Sequence, residues 1–491
     1  MEVVMKVLFV MPPLGAWSTW GTTKAPNQFY AQLAAYLREK GAAEVDLIEA
    51  RIVGMSAEEM IDEVKKKSPE VVVMGDVLHT TGGAAIIWHF NTTAQKIKSV
   101  LPECKIAVGG LWYSALYQET LEEHPAIDFV ILGEAEETLY ELVSVLASGG
   151  KRFEAIAGLA SRKDGKVVVG PHRELISDLN RLPLPAYDLF PMEKYEGHTW
   201  KHFCELFTSR GCPGGCSFCY EWSMYDPRYP KDFISWRCRS AESVADELEL
   251  LTRKYGVKTI VFQDDAFNVR SELVEGMCGE IIRRNIEINW VILGRAPDWI
   301  TQIDLVPLMK KAGLFMGLVG IEVATDEELR AIGKGITTSQ AKETIKKLRE
   351  HDIATIGTFL AGFEDDDERK IKERFAFADE ADPDIFALQF VTPMPGSPIW
   401  KKGVREGKIH LSAIDLRKWD LQHPVVPTKY LSIEELGRLG AWCGREFYSK
   451  PERIHRIMES DYSPLVKSCV KDFISNLANF ERAATAGEVY V

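Results

Sequence analysis

Long apolar runs are the first thing this sequence lacks. Nowhere in its 491 residues does a stretch approach the roughly 20 apolar residues that a bilayer-spanning helix needs, which excludes a helical membrane protein. The early apolar run Val3–Val10 is short and has no small-residue cleavage site after it, so it reads as a buried strand and not a signal peptide. An excess of positive charge is missing too: 59 Lys and Arg stand against 72 Asp and Glu, for a net charge of −13. Phosphate backbones need clustered cations, so a nucleic acid is excluded as the main partner, although a small basic pocket is not. Cysteine is sparse, with nine residues. Without a secretory segment, that usage indicates a reducing compartment and no disulfide framework. Low-complexity tracts and short-period repeats are absent. The expectation is a cytoplasmic protein with no membrane span.

What is present suffices for more than one core: 46% hydrophobic and 27% charged residues, over a length that suits about three domains. Three of the nine cysteines, Cys212, Cys216 and Cys219, sit together in the run Arg210-Gly-Cys-Pro-Gly-Gly-Cys-Ser-Phe-Cys-Tyr220. Thiolates this close can hold three irons of a cubic iron–sulfur cluster. Three ligands leave one iron open to a substrate, and Gly214 and Gly215 let the backbone curl round the cluster. The alternative is structural zinc, with Cys204, His202 or Cys238 as fourth ligand, although zinc sites more often come as paired C-x-x-C units.

The pattern C-x-x-x-C-x-aromatic-C, with Phe218 as the aromatic, resembles the signature of the radical S-adenosylmethionine (SAM) enzymes. The resemblance implies a [4Fe-4S] cluster on Cys212, Cys216 and Cys219, which are then both the metal-ligating and the catalytic residues. It implies a free iron that chelates the amino and carboxylate groups of SAM, reductive cleavage to a 5′-deoxyadenosyl radical, and Phe218 near the adenine. It also implies an external electron donor of flavodoxin or ferredoxin type.

Residues 1–150 alternate buried strands and amphipathic helices. The apolar runs are Val3–Met11, Val45–Ile48, Val71–Met74, Ile106–Val108 and Phe129–Leu132; the helical stretches are Pro26–Lys40, Ala57–Lys67, Ala84–Val100, Tyr113–Glu123 and Glu134–Ala147. Pro26 suits a first helical position. All-apolar strands with crossover helices predict an α/β, doubly wound (Rossmann-like) parallel sheet that binds ligands at its carboxyl edge. Gly109 and Gly110 at one strand end leave room for a bulky group. Glu134 opens a helix, where the dipole favours a carboxylate that can accept a ribose hydroxyl. Gly109-Gly110 followed by Asp128 to Glu136 resembles the cobalamin-binding domain upstream of many radical SAM modules. That likeness implies cobalamin contacts from His79, Thr80, Gly109, Gly110, Gly133 and Glu134. The D-x-H-x-x-G motif of better-known cobalamin domains is missing, which implies that cobalt lacks the usual histidine. For His79 a local hydrogen bond is the alternative, and for the domain a nucleotide-binding or regulatory flavodoxin-like role.

Residues 151–200 read as a linker: a hairpin at Asp164-Gly165, then Pro183, Pro185 and Pro191 in an extended connection whose Leu182, Leu184 and Tyr187 pack between domains. Residues 201–405 alternate again, with strands at Phe203–Thr208, Val257–Gln263, Ile288–Leu293, Phe315–Ile321, Thr355–Ala361 and Ile385–Val391. They predict a partial (β/α)6 barrel with its chemistry at the carboxyl ends of the strands. By resemblance those ends supply Asp264 or Asp265 to the SAM amino group or to support of the loop, and Arg295 to its carboxylate. Glu322 goes to ribose hydroxyls and Gly362-Phe363 to adenine. The plain alternatives are turn caps for the aspartates and a structural ion pair between Arg295 and Glu322. Cys204, Cys238 and Cys278 read as buried small hydrophobes. Residues 406–491 read as a helical, aromatic-rich segment, either a cap or a lid over substrate.

Together these features resemble cobalamin-dependent radical SAM enzymes, with a layout similar to the anaerobic ring cyclases. The resemblance implies C-methylation of an unactivated sp3 carbon by way of methylcobalamin. The substrate is a protein residue such as glutamine, a peptide or a small molecule. The alternatives are an oxidative cyclase or rearrangement enzyme acting on a tetrapyrrole or other small molecule, and a regulator without turnover.

Overall fold

The computed structural model describes residues 5–13, 25–76, 84–195, 202–219, 236–471 and 474–475. Seven strands form the first sheet: β1 (Met5–Met11), β2 (Ala43–Glu49), β3 (Val71–Asp76), β4 (Lys105–Gly110), β5 (Phe129–Ile131), β6 (Leu159–Lys163) and β7 (Lys166–Val169). They lie in the order β2-β1-β3-β4-β5-β6-β7, the first five parallel. Direction of winding reverses between β1 and β3, the switch point at which doubly wound sheets bind ligands. The expected hairpin is present, with Asp164 at φ 51° and Gly165 at φ 76°, the positive pair a tight hairpin asks for. Its strands do more than link, because β6 pairs antiparallel with β5 and extends the first sheet.

Two helices differ from expectation. The helix Gln28–Glu39 is capped by Asn27, whose side chain accepts from the Tyr30 amide, so Pro26 lies ahead of the cap and not at the first helical position. The stretch Tyr113–Glu123 is two helices, Leu111–Ala115 and Tyr117–Glu123, broken at Leu116 (φ −122°, ψ 37°).

The second sheet is built from β8 (Phe203–Leu206), β11 (Thr259–Phe262), β12 (Asn289–Gly294), β13 (Leu314–Glu322), β14 (Ala354–Ala361) and β15 (Ile385–Phe390), in the order β15-β14-β13-β12-β11-β8. All its pairings are parallel, giving the expected partial barrel. Between β8 and β11 lies a two-residue antiparallel ribbon of β9 (Ser209–Arg210) and β10 (Arg237–Cys238). Ser240 caps the helix Ala241–Tyr255, accepting from the Ser243 amide.

The concave face of this sheet is filled at the amino ends of its strands. Phe203, Phe315, Ala354 and Ile385 pack there with Tyr462, Val466 and Val470 from the C-terminal segment. The Tyr462 hydroxyl donates to Asp384 at 3.0 Å, just before β15. Residues 457–470 therefore stop the foot of the barrel and do not form a lid. Nor is the whole segment helical: before the helices Ile433–Tyr448 and Pro451–Glu459 it holds only short 3-10 turns at Leu411–Ala413 and Leu416–Lys418.

The two sheets face each other. Trp112, after β4, meets Trp400, after β15, with ring centroids 6.4 Å apart, and Trp400 meets Trp419 at 6.5 Å. In the connection, Ala186 donates to the Ala31 carbonyl at 2.9 Å, and Tyr187 is buried against Gln28 and Glu247. Leu184, expected between the domains, is exposed.

Candidate functional site

The cysteine loop leaves the barrel at the end of β8, and two aspartates from the next strand end brace its entry. Asp264 Oδ1 accepts the Thr208 amide at 2.9 Å and also the Ser209 amide and both hydroxyls. Asp265 accepts the Gly211 amide at 2.9 Å. Both carboxylates support the loop, one of the two roles expected of them, and Asp264 is spoken for. Its Oδ2 is buried without a partner among the described residues, and burial outweighs the four donors, pushing the carboxyl up to about 6.

Cys212, Cys216 and Cys219 form no disulfide, and all three are half-buried. The Gly214 amide points at Cys212 Sγ, 3.3 Å away. Burial pushes the Cys212 thiol up to about 12, while that amide and Arg295 act the other way, toward the thiolate a metal needs. No three His, Cys, Asp or Glu side chains among the described residues converge on one metal ion. A cubic cluster asks for no such convergence, since it takes one thiolate per iron. Cys204 is wholly buried in β8 and Cys278 in its helix, the small hydrophobes expected, whereas Cys238 is only half-buried in the ribbon.

The segment after β13 makes the second wall. Ser217 donates to the Ile332 carbonyl at 3.0 Å, and a Cβ on Gly333 (φ 72°) would lie 3.2 Å from the Gly215 carbonyl oxygen. Lys334, which the sequence did not single out, reaches into this wall. Its Nζ lies 2.7 Å from Glu322 Oε1 and 5.9 Å from the Phe218 ring centroid. Burial would lower its pKa, but Glu322 and the thiols Cys216 and Cys219 outweigh it and hold the ammonium above its ordinary value. Glu322 itself sits at φ 77°, where β13 slips register against β14 between Gly320 and Glu322; that bulge turns its carboxylate to Lys334 and to Thr358 at 3.2 Å. The alternative of an ion pair between Arg295 and Glu322 is not what forms. Arg295 pairs with Asp298 at 3.4 Å and stands beside the loop, its Nε 3.9 Å from where a Cβ on Gly214 would be.

Phe218 meets Phe363 edge to face, centroids 6.2 Å apart, so the two residues expected at the adenine do come together. Gly362 (φ 99°) turns the chain beneath them, its amide held by Asp366 at 2.9 Å. Ser217, Ile332, Gly362, Phe363, Val391 and Pro393 line part of a cavity of about 760 Å³, whose remaining wall carries charged side chains such as Asp366 and Arg374.

On the other side of the loop, the carboxyl edges of both sheets wall a smaller cavity of about 140 Å³. Phe29, Gly110, Leu111 and Gly133 come from the first sheet's side, and Ser209, Arg210 and Asp265 from the barrel. Gly110 (φ 104°) and Gly133 (φ 69°) need positive φ and leave bare backbone at the wall. A Cβ on Gly109 would meet Ile131 and Phe29 at ordinary contact distance, and Gly109 is not part of this wall. Glu134 differs from expectation. The helix opens two residues later, at Glu136, and the Glu134 carboxylate is gripped by Arg237 at 2.8 Å, Arg210 at 3.2 Å and the Ile176 amide at 2.7 Å. Burial would raise its pKa; the two guanidiniums outweigh it and hold it below the usual carboxylate range. Local helix-dipole reasoning could not see arginines 76 and more residues away. His79 and Thr80 lie outside the described residues.

The donor sets fit the three expected groups: thiols on a braced, glycine-turned loop, an aromatic and carboxylate wall beside it, and bare backbone at the facing sheet edge. Two family models match the chain, the B12 binding domain over residues 25–143 and the radical SAM superfamily over residues 206–378, together more than half of it. The chain belongs to the B12-binding radical SAM enzymes, whose cofactors are a [4Fe-4S] cluster, SAM and cobalamin. It is 29% identical over 472 residues to an uncharacterised methyltransferase of Pyrococcus horikoshii, covering 96% of this chain and 98% of that one. It is 28% identical over 438 residues to the anaerobic magnesium-protoporphyrin IX monomethyl ester cyclase of Rubrivivax gelatinosus, covering 88% and 75%. Among solved structures, the cobalamin-dependent SAM radical enzyme OxsB superposes with a TM-score of 0.73 at 16% identity, over 99% of this chain and 72% of that one. No described helix is long and apolar enough to cross a membrane.

Proposed function

We propose that the chain is a cobalamin-dependent radical SAM C-methyltransferase acting on an unactivated sp3 carbon. The observation that carries this reading is the cavity walled jointly by Gly110 and Gly133 of the first sheet and by Ser209, Arg210 and Asp265 of the barrel. A reaction that passes a group between two cofactors needs their two edges to face one space. The end-to-end likeness to a protein named as a methyltransferase supports the choice of chemistry.

In this reading Cys212, Cys216 and Cys219 hold the cluster, Glu322 and Arg295 orient SAM, Phe218 and Phe363 take its adenine, and Gly110 and Gly133 receive cobalamin. When bound, the cluster and SAM supply a hydrogen-abstracting radical and cobalamin a transferable methyl group. The chain's own residues do the rest. Asp264 and Asp265 fix the loop, and Lys334 neutralises Glu322 in a buried wall. An electron donor of flavodoxin or ferredoxin type supplies the reducing electron.

The second reading, a cyclase or rearrangement enzyme, is favoured by the 28% identity to the ring cyclase. The test is anaerobic purification with iron, sulfide and cobalamin analysis, then incubation with SAM, a reductant and candidate substrates: glutamine-containing peptides and a porphyrin ester. A product heavier by one methylene unit per turnover supports methylation. Turnover with 5′-deoxyadenosine but no such mass gain supports the cyclase. Bound cobalamin with no 5′-deoxyadenosine under any condition overturns both.

A further inference from the structure

The ribbon of β9 and β10 closes the cysteine loop, because the chain enters the loop at Arg210 and returns at Arg237. In the antiparallel register these two arginines are directly opposite each other, an arrangement in which like charges repel and open the pair. The neutralising charge comes from the other domain. Arg237 forks onto both oxygens of Glu134, at 2.8 and 3.1 Å. Arg210 reaches Glu134 at 3.2 Å and donates to Glu136 as well. The acids are the buried members: the side chains of Glu134 and Glu136 are 6% and 1% exposed. The connecting segment completes the cluster, with the Ile176 carbonyl accepting from Arg237 at 2.6 Å.

We infer that Glu134, Glu136, Arg210 and Arg237 form a latch through which the first domain sets the position of the cysteine loop. Two carboxylates from one domain neutralise two guanidiniums at the neck of the other domain's loop, so the ribbon is fully closed only when the domains are seated. Glu134 also lines the shared cavity beside Gly133, so whatever fills that cavity lies against a member of the latch. These four are positioning residues. The part of the inference that concerns cofactor spacing rests on the proposed two-cofactor reading; the part that concerns ribbon closure does not.

The test has two arms. In the first, amide hydrogen exchange is followed in the full cofactor-free chain at residues 209–210 and 237–239. In Glu134→Gln/Glu136→Gln exchange there quickens at least tenfold, while residues 259–262 of β11 keep the wild-type rate. Unchanged ribbon exchange overturns the latch. Charge exchange gives the rescue: Glu136→Arg opens the ribbon and Glu136→Arg/Arg210→Glu recloses it, which a merely space-filling role would not produce. If the double glutamine variant does not fold, Arg237→Lys, which keeps the charge and loses the fork, decides by the same exchange criterion.

In the second arm, chains reconstituted with iron, sulfide and cobalamin are reduced, and the dipolar broadening of the cob(II)alamin signal by the reduced cluster is read by electron paramagnetic resonance. The latch variants load both groups and show altered broadening. Variants that load the cluster but lose cobalamin make Glu134 a cobalamin ligand and overturn the positioning role. A wild-type chain that binds no cobalamin overturns the two-cofactor reading and leaves the exchange result to decide the latch alone.

Discussion

Asp264 holds four donors on one oxygen and leaves the other buried and bare. Its raised pKa means that the folded chain binds this proton more tightly than the unfolded one. The stabilisation from protonating it is fully present below the ordinary carboxylate range and is lost as pH rises through about 6. In Asp264→Asn that dependence disappears. Urea unfolding at pH 5 and pH 7.5 is therefore expected to show wild type gaining on the asparagine variant at the lower pH, and a pH-independent difference would refute the assignment. Asp264→Ala strands the Thr208 and Ser209 amides and costs roughly 2–4 kcal/mol, more at pH 5 than at pH 7.5. Lys334 makes a different kind of prediction. A cation beside two cluster thiolates favours the more negative, reduced state, so Lys334→Met is expected to lower the midpoint potential of the reconstituted cluster by tens of millivolts, on the order of a modestly screened charge. Spectroscopic redox titration reads it, and Lys334→Arg restores most of the shift.

At the scale of elements, the strands were the legible part. Val71–Met74 and Phe129–Leu132 are apolar throughout, and Thr355–Ala361 is apolar but for Thr355 and Thr358; the structure places β3, β5 and β14 on them because only a strand covered on both faces buries every side chain. The aromatic pair Phe218 and Phe363 was also legible, since each follows a strand end that the barrel topology brings to one mouth. The ribbon of β9 and β10 was not, because two-residue strands carry no periodicity. Nor was Lys334, since a lysine between two glycines reads as a solvated turn until Glu322 is seen beside it. The Gly333 backbone shows why that turn matters: at φ 72°, with any Cβ there only 3.2 Å from the Gly215 carbonyl oxygen, it takes no side chain without cost. Gly333→Ala is expected to destabilise the chain by about 1–2 kcal/mol and to lower the iron bound per chain on reconstitution, measured against wild type in parallel.

The whole molecule is two sheets that face each other across their carboxyl ends, pinned among other places by the arginine–glutamate cluster, the buried Tyr187 with Gln28 and Glu247, and the tryptophans 112, 400 and 419. Most of these contacts connect segments 60 or more residues apart, as with Tyr187 and Glu247, and nothing local in the sequence announces them. Trp400, nearly buried between the other two rings, is the pin most easily removed. Trp400→Ala is expected to cost about 3 kcal/mol or more, seen by calorimetry as a lowered unfolding midpoint.

The stopper at the foot of the barrel also sets an order of synthesis. Tyr462, Val466 and Val470 leave the ribosome long after β8, whose Phe203 they cover. At ordinary elongation rates the delay is on the order of tens of seconds. Through that interval the first sheet has all its strands, while the barrel's concave wall has no cover as Phe315, Ile356 and Ile385 are added to it in turn. A nascent chain paused there presents a greasy parallel sheet to its neighbours. Slow translation, early termination or a tag that delays the last helices thus becomes a route to inclusion bodies for this protein, even where every residue of its chemistry is intact.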